Sequence, residues 1–100
     1  MTYKILIVDS SAIDRRMMHD VLEKKFPSSV GLFSAAEGPD ASALVKSGGI
    51  DMLIVNIPYY SLYSDFAEVL IHNARSVRGD ISLILTSVKK EERIARMATR

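Results

Sequence analysis

Four small polar residues stand at the ends of short apolar runs and are the first candidates for chemistry in this sequence. They are Asp9 and Ser10 after the first run, Asn56 after the third and Thr86 after the fourth. Carboxylate, amide and hydroxyl oxygens accept hydrogen bonds and can ligate hard cations. At Asn56, where a carboxylate would be an oxygen nucleophile, the amide cannot attack an electrophile, because its nitrogen lone pair is delocalised. These residues therefore indicate binding rather than covalent chemistry.

The apolar runs predict four β-strands, because they are short and rich in β-branched residues. They are ILIV at residues 5–8, VGLF at 30–33, MLIV at 52–55 and ISLIL at 81–85. The first, third and fourth runs show no alternation of polar and apolar residues, which predicts strands that helices cover on both faces. The VGLF run contains a glycine and has serines beside it, which favours an edge strand.

The segment after the first strand has the spacing of an amphipathic helix, which predicts that its apolar face covers the sheet. Ser11 precedes the pattern and is a candidate N-cap residue. The apolar residues that share the helical face are Ile13, Met17, Val21 and Leu22.

Two further helices are predicted from their end signals. Gly38–Pro39 opens a short second helix, and Gly48–Gly49 ends it, because glycine accepts the left-handed conformation that follows a helix end. A fourth helix begins at Ser87 and continues to Arg100 with a thin apolar stripe.

The third helix has the clearest pattern. Ser64–Asp65 caps its N-terminus, and Gly79 ends it. Its apolar residues are Phe66, Val69, Leu70, Ala74 and Val77.

Strands that alternate with helices predict an α/β domain of three layers, with a parallel sheet joined by right-handed crossovers. The edge character of the second run favours the flavodoxin-like strand order 2-1-3-4. In that order the apolar fourth strand lies at the border of the sheet, where it exposes a backbone edge and a hydrophobic face. We expect one domain over residues 1–100 that stops before a fifth strand and helix. Either the rest of the domain is missing from this chain, or a second copy covers the border.

Three segments resemble bacterial response-regulator receiver domains, the CheY-like family. IVDSSAIDRRMM is similar to the family's opening motif, DMLIVNIP to its third strand and ISLILTS to its fourth. The resemblance covers essentially the whole chain. It implies that Asp9 matches the first residue of the family's acidic pair, that Ser10 replaces the second acid, and that Asn56 replaces the aspartate that accepts a phosphoryl group. Thr86 matches the family's signalling threonine.

These departures change what the resemblance implies about function. Aspartyl phosphorylation needs an anionic oxygen nucleophile and a magnesium ion, and Asn56 cannot supply the first. Asp9 alone remains of three acids, so Asp9, Ser10 and Asn56 form a vestigial metal site where magnesium binding is weak or absent. The family's lysine has no counterpart before Arg100. We expect a non-phosphorylatable pseudo-receiver, not an enzyme and without a cofactor, that serves as a protein-interaction or dimerisation module in two-component phosphorelay signalling.

Two other hypotheses about the function stay open. An α/β domain with a polar rim can bind a small anion or a nucleotide, although no glycine-rich phosphate loop follows any strand. Alternatively, Asn56 is an engineered block in a working receiver, but one substitution does not explain the second lost acid at Ser10. Simpler structural roles also exist: Asp9 can accept backbone N–H groups at a turn, Asn56 can be a left-handed turn residue, and Thr86 can pair with a carbonyl.

The expected partner is a protein or an output domain, together with a second copy bound through the fourth helix and the border of the fourth strand. The candidate interface residues are Tyr59, Tyr60 and Tyr63 in one loop, and Lys89, Arg93 and Arg96 on the fourth helix. The tyrosines can instead fold over the vestigial site, and the basic face can be merely solvated. The net charge of +1 does not favour nucleic-acid binding.

Composition narrows the cellular context. The chain has no cysteine, which excludes disulfides and thiolate zinc sites and suits a reducing compartment. No apolar run approaches the ~20 residues that a membrane span needs, and the N-terminus lacks a secretory signal. We therefore expect a cytoplasmic protein.

Overall fold

The computed structural model describes residues 2–36, 38–57 and 66–87. In these ranges no helix has both the length and the apolar character that crossing a membrane requires. The strands are β1 (Tyr3–Val8), β2 (Val30–Ala35), β3 (Met52–Ile57) and β4 (Ser82–Ser87), and the helices are α1 (Ala12–Lys25), α2 (Gly38–Lys46) and α3 (Phe66–Val77). The six candidate interface residues, the Ser64–Asp65 cap and residues 88–100 of the predicted fourth helix lie outside the described residues. The predicted start of that helix at Ser87 is wrong, because Ser87 pairs with β3 as the last residue of β4.

The four strands form one parallel sheet in the order β2-β1-β3-β4, which confirms the predicted α/β topology. All four strands fall where the apolar runs predict them, with ends that differ by one or two residues. β2 is an edge strand, as its glycine and flanking serines indicate. Among the described strands, β4 is the last on the opposite side.

The core has two parts because side chains alternate between the two faces of the sheet. On one face, buried side chains of β1 and β3 pack against α2 and α3. On the other face, Ile5, Ile7 and Ile54 pack against Met18 and Leu22 of α1. This arrangement gives the three layers, and α1 is the only helix on its side among the described residues.

Helix α1 begins as predicted, with the Ser11 hydroxyl accepting the Asp14 N–H at 3.2 Å. The prediction of its buried face is largely wrong. Ile13, Met17 and Val21 are 73%, 61% and 60% exposed, and of the predicted stripe only Leu22 packs on the sheet.

The flank of α1 that faces β2 is polar, and this explains the difference. Arg16, His19 and Glu23 line a groove against Ser34 of β2. Because α1 lies over β1 and β2, its opposite flank, which carries the exposed apolar stripe, points towards the β3 and β4 side of the sheet.

Helix α3 also turns a different face to the core than its pattern predicts. Val69 and Val77 are exposed, and Leu70 and Ala74 are buried as predicted together with Ala67 and Ile71. The small alanines let the helix approach α2 closely. The buried set is therefore shifted around the helix by the packing between helices.

Two glycines end the segment after α2 as predicted. Gly48 and Gly49 have φ angles of +83° and +85°, a region that residues with a Cβ rarely adopt. This turn leads the chain to Asp51, which directly precedes β3.

Asp51 ties three strands together at the amino-terminal edge of the sheet. Its Oδ2 accepts the Lys4 N–H at 2.7 Å, and its Oδ1 accepts a hydrogen bond from the Arg78 guanidinium. Arg78 also donates to Asp80 at 2.9 Å. The Lys4 N–H, and then Arg78, hold the pKa of the Asp51 carboxyl below its ordinary value of 3.8. Asp51 thus links β1 to the loop before β4 through its charged form.

Asp51→Asn should lower the free energy of unfolding at neutral pH. Because the pKa of Asp51 is lower in the folded than in the unfolded chain, its carboxylate stabilises the fold above the unfolded pKa near 3.8. That contribution is lost as the pH falls through the lower folded pKa, so the variant and the wild type should converge in acid. Urea unfolding midpoints from ~pH 7 down to ~pH 3 measure this convergence.

Asp20→Asn is the matched control, since Asp20 pairs with Arg16 at 3.4 Å on the exposed side of α1. Such surface pairs contribute at most about 0.5 kcal/mol. An equal loss of stability in both variants, with the same dependence on pH, contradicts the role given to Asp51.

Candidate functional site

The register of the sheet brings three of the predicted site residues into one row. Asn56 pairs with Thr86 across β3 and β4, and Val8 pairs with Val55, so Asp9 is level with Asn56. All three lie at the carboxyl edge, where ligands bind in open parallel sheets. The row also continues Ile7, Ile54 and Ile84, so its side chains belong to the α1 face.

Asp9 is held in place by both its backbone and its side chain. Its N–H donates to the Ala35 carbonyl at 3.1 Å, and its own carbonyl accepts from Arg15 at 2.6 Å. Its Oδ1 accepts the Ser11 N–H at 2.9 Å. Asp9 therefore has the turn-stabilising contact that its position predicts. Ser10 lies beside it, exposed, at the bend before α1.

Asn56 bridges the other two residues of the row. Its Nδ2 donates to Asp9 Oδ1 at 3.5 Å, which is the upper limit for a hydrogen bond. Its Oδ1 accepts the Thr86 hydroxyl at 2.9 Å. The carboxylate of Asp9 can only accept, so the amide nitrogen turns towards Asp9 and the amide oxygen towards Thr86.

The interpretation of Asn56 as a left-handed turn residue is wrong. The residue lies inside β3, which continues to Ile57. Among the described residues other than glycine, only Ser28 has a positive φ angle. Pairing with β4 extends the strand past the point where the apolar run ends. The sequence predicts that β3 lies beside β4, but it shows neither that their pairing extends to Asn56 nor which group the amide oxygen contacts.

The row offers one carboxylate, one amide oxygen that is already hydrogen-bonded, and one hydroxyl. Mg²⁺ is usually held by carboxylates together with a substrate phosphate. Two fewer negative charges at ~4 Å remove several kcal/mol of attraction at an effective dielectric of about 20. Weak magnesium binding at Asp9 therefore stays a prediction. The three side chains are instead suited to hydrogen-bond one another, with Asn56 between Asp9 and Thr86.

A second polar cluster lies on α1. His19 Nδ1 is 3.5 Å from a Glu23 oxygen and 3.8 Å from an Asp20 oxygen. The spacing of four residues between His19 and Glu23 places both on one helical face. All three side chains are substantially exposed, and Asp20 is paired with Arg16. The cluster is a surface ion-pair group on the β2 side, away from the Asp9 row.

No protein-family model matches the sequence, and no curated protein is significantly similar to it. Solved structures are similar in fold. The signal receiver domain of an HD domain-containing protein from Pseudomonas fluorescens Pf-5 superposes with a TM-score of 0.80 at 19% identity, over 100% of this chain and 75% of that one. A CheY-like response regulator receiver domain protein from Methanospirillum hungatei JF-1 gives 0.81 at 17% identity, over 99% and 74%.

A third structure is a response regulator protein from Burkholderia pseudomallei with a phosphorylated aspartic acid, a calcium ion and citrate. It superposes with a TM-score of 0.78 at 12% identity, over 97% of this chain and 54% of that one. At these identities the comparisons establish the fold. The chain has the CheY-like receiver fold, as its motifs predict, and it spans about three quarters of the first two structures and about half of the third.

Asn56→Asp should destabilise the chain when no divalent cation is present. The change puts a second carboxylate ~3.5 Å from Asp9, where repulsion is ~1 kcal/mol in bulk water and ~5 kcal/mol at an effective dielectric of about 20. Both residues are half-buried, and we expect a loss of about 1–2 kcal/mol at neutral pH. Urea unfolding in a chelator measures it, and acid should reduce the loss.

Asn56→Ala is the control, because it removes the same hydrogen bonds without adding charge. Its loss of stability should not shrink in acid. If Asn56→Asp is as stable as the wild type in chelator at neutral pH, then Asp9 does not experience the added carboxylate and the proposed geometry of the row is wrong.

Proposed function

We propose that this chain is a receiver-like protein-interaction module of two-component signal transduction that works without aspartyl phosphorylation. The observation that carries the proposal is the amide of Asn56 at the end of β3, hydrogen-bonded on one side to Asp9 and on the other to Thr86. The CheY-like fold supports the signalling context. The proposed role is one of binding in the cytoplasm, with no enzymatic step.

The amide blocks phosphoryl transfer for two reasons. Its oxygen is not an anionic nucleophile, and its nitrogen lone pair is delocalised, so no group at this position can attack phosphorus. The hydroxyl of Thr86 also already donates to the amide oxygen. A phosphoryl acceptor would need that oxygen free and a magnesium ion beside it to neutralise the developing charge.

The same contact gives Thr86 a permanent partner. In the receiver domains that the sequence resembles, the equivalent threonine responds to the phosphoryl group. Here its hydroxyl is held at 2.9 Å from Asn56, a group that does not change with phosphorylation. We infer that the end of β4 stays in one state, and that signals depend on which partner is bound.

The border of β4 is the surface we assign to partner binding. It is the last described strand on its side of the sheet, and Ile84 on it is exposed. The fourth helix that the sequence predicts after β4, which lies outside the described residues, completes this surface in the proposal. A protein partner or an output domain bound there would cover apolar surface that water otherwise contacts.

Incubation with acetyl phosphate and Mg²⁺ should leave the mass of the intact chain unchanged. Mass spectrometry of the undigested protein, kept cold and slightly acidic, detects the addition of a phosphoryl group. A gain of one base-labile phosphoryl group on the chain overturns the proposed function.

Magnesium binding should be absent at sub-millimolar concentrations and should appear when the acids are restored. We expect the double variant Ser10→Asp and Asn56→Asp to bind Mg²⁺ at least tenfold more tightly than the wild type, since it has three carboxylates at the site. Isothermal titration calorimetry measures both, with Asp9→Asn in the double variant as control. Sub-millimolar affinity in the wild type contradicts the account of the vestigial site.

A further inference from the structure

Three side chains that can ligate a metal meet on the flank of α1 that faces β2. His19 Nδ1 lies 3.5 Å from a carboxylate oxygen of Glu23 and 3.8 Å from one of Asp20. The ligand atoms of these three residues all lie within 4.8 Å of one another. Among the described residues, they are the one group of three histidine or acidic side chains that comes so close together.

The separations within this cluster suit a transition metal. Zn²⁺ binds imidazole nitrogen and carboxylate oxygen at about 2.0–2.2 Å, so two ligands at a tetrahedral angle stand about 3.4 Å apart. The 3.5 Å between His19 and Glu23 is already close to this distance. Asp20, at 3.8 Å from His19, needs only a small rotation of an exposed side chain. A metal ion can thus enter between the three groups while the backbone of α1 stays as it is.

The helix and the sheet hold the histidine in position for such an ion. His19 and Glu23 are four residues apart within α1, so they are neighbours on the helix surface. The His19 side chain is 36% exposed, the least of the three. It lies against β2 between two grooves, and both His19 and Glu23 line each of them. The imidazole is therefore partly fixed, with Nδ1 towards the two carboxylates.

We propose that His19, Asp20 and Glu23 bind one transition-metal dication, with water at its remaining positions. One imidazole with two carboxylates suits Zn²⁺, Cu²⁺ or Ni²⁺, whereas Mg²⁺ and Ca²⁺ prefer oxygen ligands alone. The imidazole is thus the group that distinguishes this cluster from an ordinary acidic surface. The site shares no residue with Asp9, Ser10 and Asn56, and it goes beyond the proposed function.

Arg16 competes with the metal for Asp20. The Arg16 Nε lies 3.4 Å from an Asp20 oxygen, and both side chains are mostly exposed. Such surface ion pairs are weak, so a dication that also contacts His19 and Glu23 displaces the guanidinium. Arg15 lines the same groove, but it donates to the Asp9 carbonyl at 2.6 Å. Arg16 therefore lowers the affinity of the site for a metal without closing it.

Zinc titration of the untagged chain tests the site. Isothermal titration calorimetry with zinc chloride should show one equivalent bound at sub-millimolar concentration. His19→Ala should weaken binding at least tenfold, because even the loss of a group that only supports a metal ligand typically costs about tenfold or more. Glu23→Gln, which keeps the size of the side chain, should weaken it in the same direction. A wild type without sub-millimolar binding, or a His19→Ala variant that binds as tightly as the wild type, overturns the proposal.

His72→Ala is the matched control. His72 lies on α3 and also has a glutamate four residues away, Glu68, but among the described residues no third ligand joins them. Zinc affinity in this variant should equal that of the wild type. A loss as large as that of His19→Ala places the metal on α3 and contradicts the proposal.

Arg16→Ala should bind zinc more tightly than the wild type, since it frees Asp20 from its competing cation. A merely structural role of the cluster would not raise the affinity. Equal or weaker binding in this variant contradicts the assignment of Asp20. A tenfold excess of Mg²⁺ should leave zinc bound, and displacement by Mg²⁺ shows that the carboxylates act without His19 and overturns the site.

Paramagnetic Cu²⁺ locates the site without a substitution. At less than one equivalent it should broaden the amide NMR signals of residues 19–23 and of Ser34, which lines the same groove, before those around His72. Earlier broadening around His72 or Asp9 contradicts the proposal.

Zinc binding at α1 and phosphoryl transfer at β3 are measured on different groups, so the two proposals fail separately. A chain that binds zinc through His19 and also accepts a phosphoryl group overturns only the proposed function. A chain that binds no zinc and accepts no phosphoryl group overturns only the metal site.

Discussion

The amide of Asn56 is the interaction on which the carboxyl edge of this sheet depends. Parallel strands in register bring Asp9, Asn56 and Thr86 side by side, and such closeness would be costly if all three positions were acidic or unmatched. The amide is the one group with a donor for the carboxylate and an acceptor for the hydroxyl. Because it satisfies both neighbours, the edge needs no cation to neutralise it, and the strands can pair to their ends.

The opposite edge of the sheet uses charge where this one uses an amide. Asp51 accepts from the backbone of Lys4 and from Arg78, which also contacts Asp80. The Lys4 N–H and then Arg78 lower the pKa of Asp51, and the same Arg78 guanidinium lowers the pKa of Asp80. The carboxyl edge is therefore held by an amide and the amino-terminal edge by an ion pair. Polar side chains at both ends of the central strands therefore have hydrogen-bond partners within the chain.

Sequence reasoning predicted the strands, their order and the convergence of the rim residues, because buried strands and helix end signals are local features. It failed to predict which side chains are buried and which groups they contact, because both depend on how neighbouring helices and strands pack. The stripe of α1 is genuinely helical, yet most of it is exposed because the helix turns the face of Met18 and Leu22 to the sheet. Val69 on α3 is exposed because the helix turns Leu70 and Ala74 to the core. The partner of the Asn56 amide was also out of reach, since residue 86 contacts it across 30 positions of sequence.

The place of Thr86 on β4 connects the rim to the border of the sheet. Thr86 and Ile84 lie two residues apart on one face of the same strand, the first hydrogen-bonded to Asn56 and the second open to a partner. A partner bound at β4 in the proposal would contact the same strand that carries the Thr86 hydroxyl, which donates to Asn56 at 2.9 Å. Any such effect acts in both directions, because coupling between two binding events is reciprocal. Under the proposed function, partner binding at β4 is therefore the event through which the rim and the border of the sheet would influence each other.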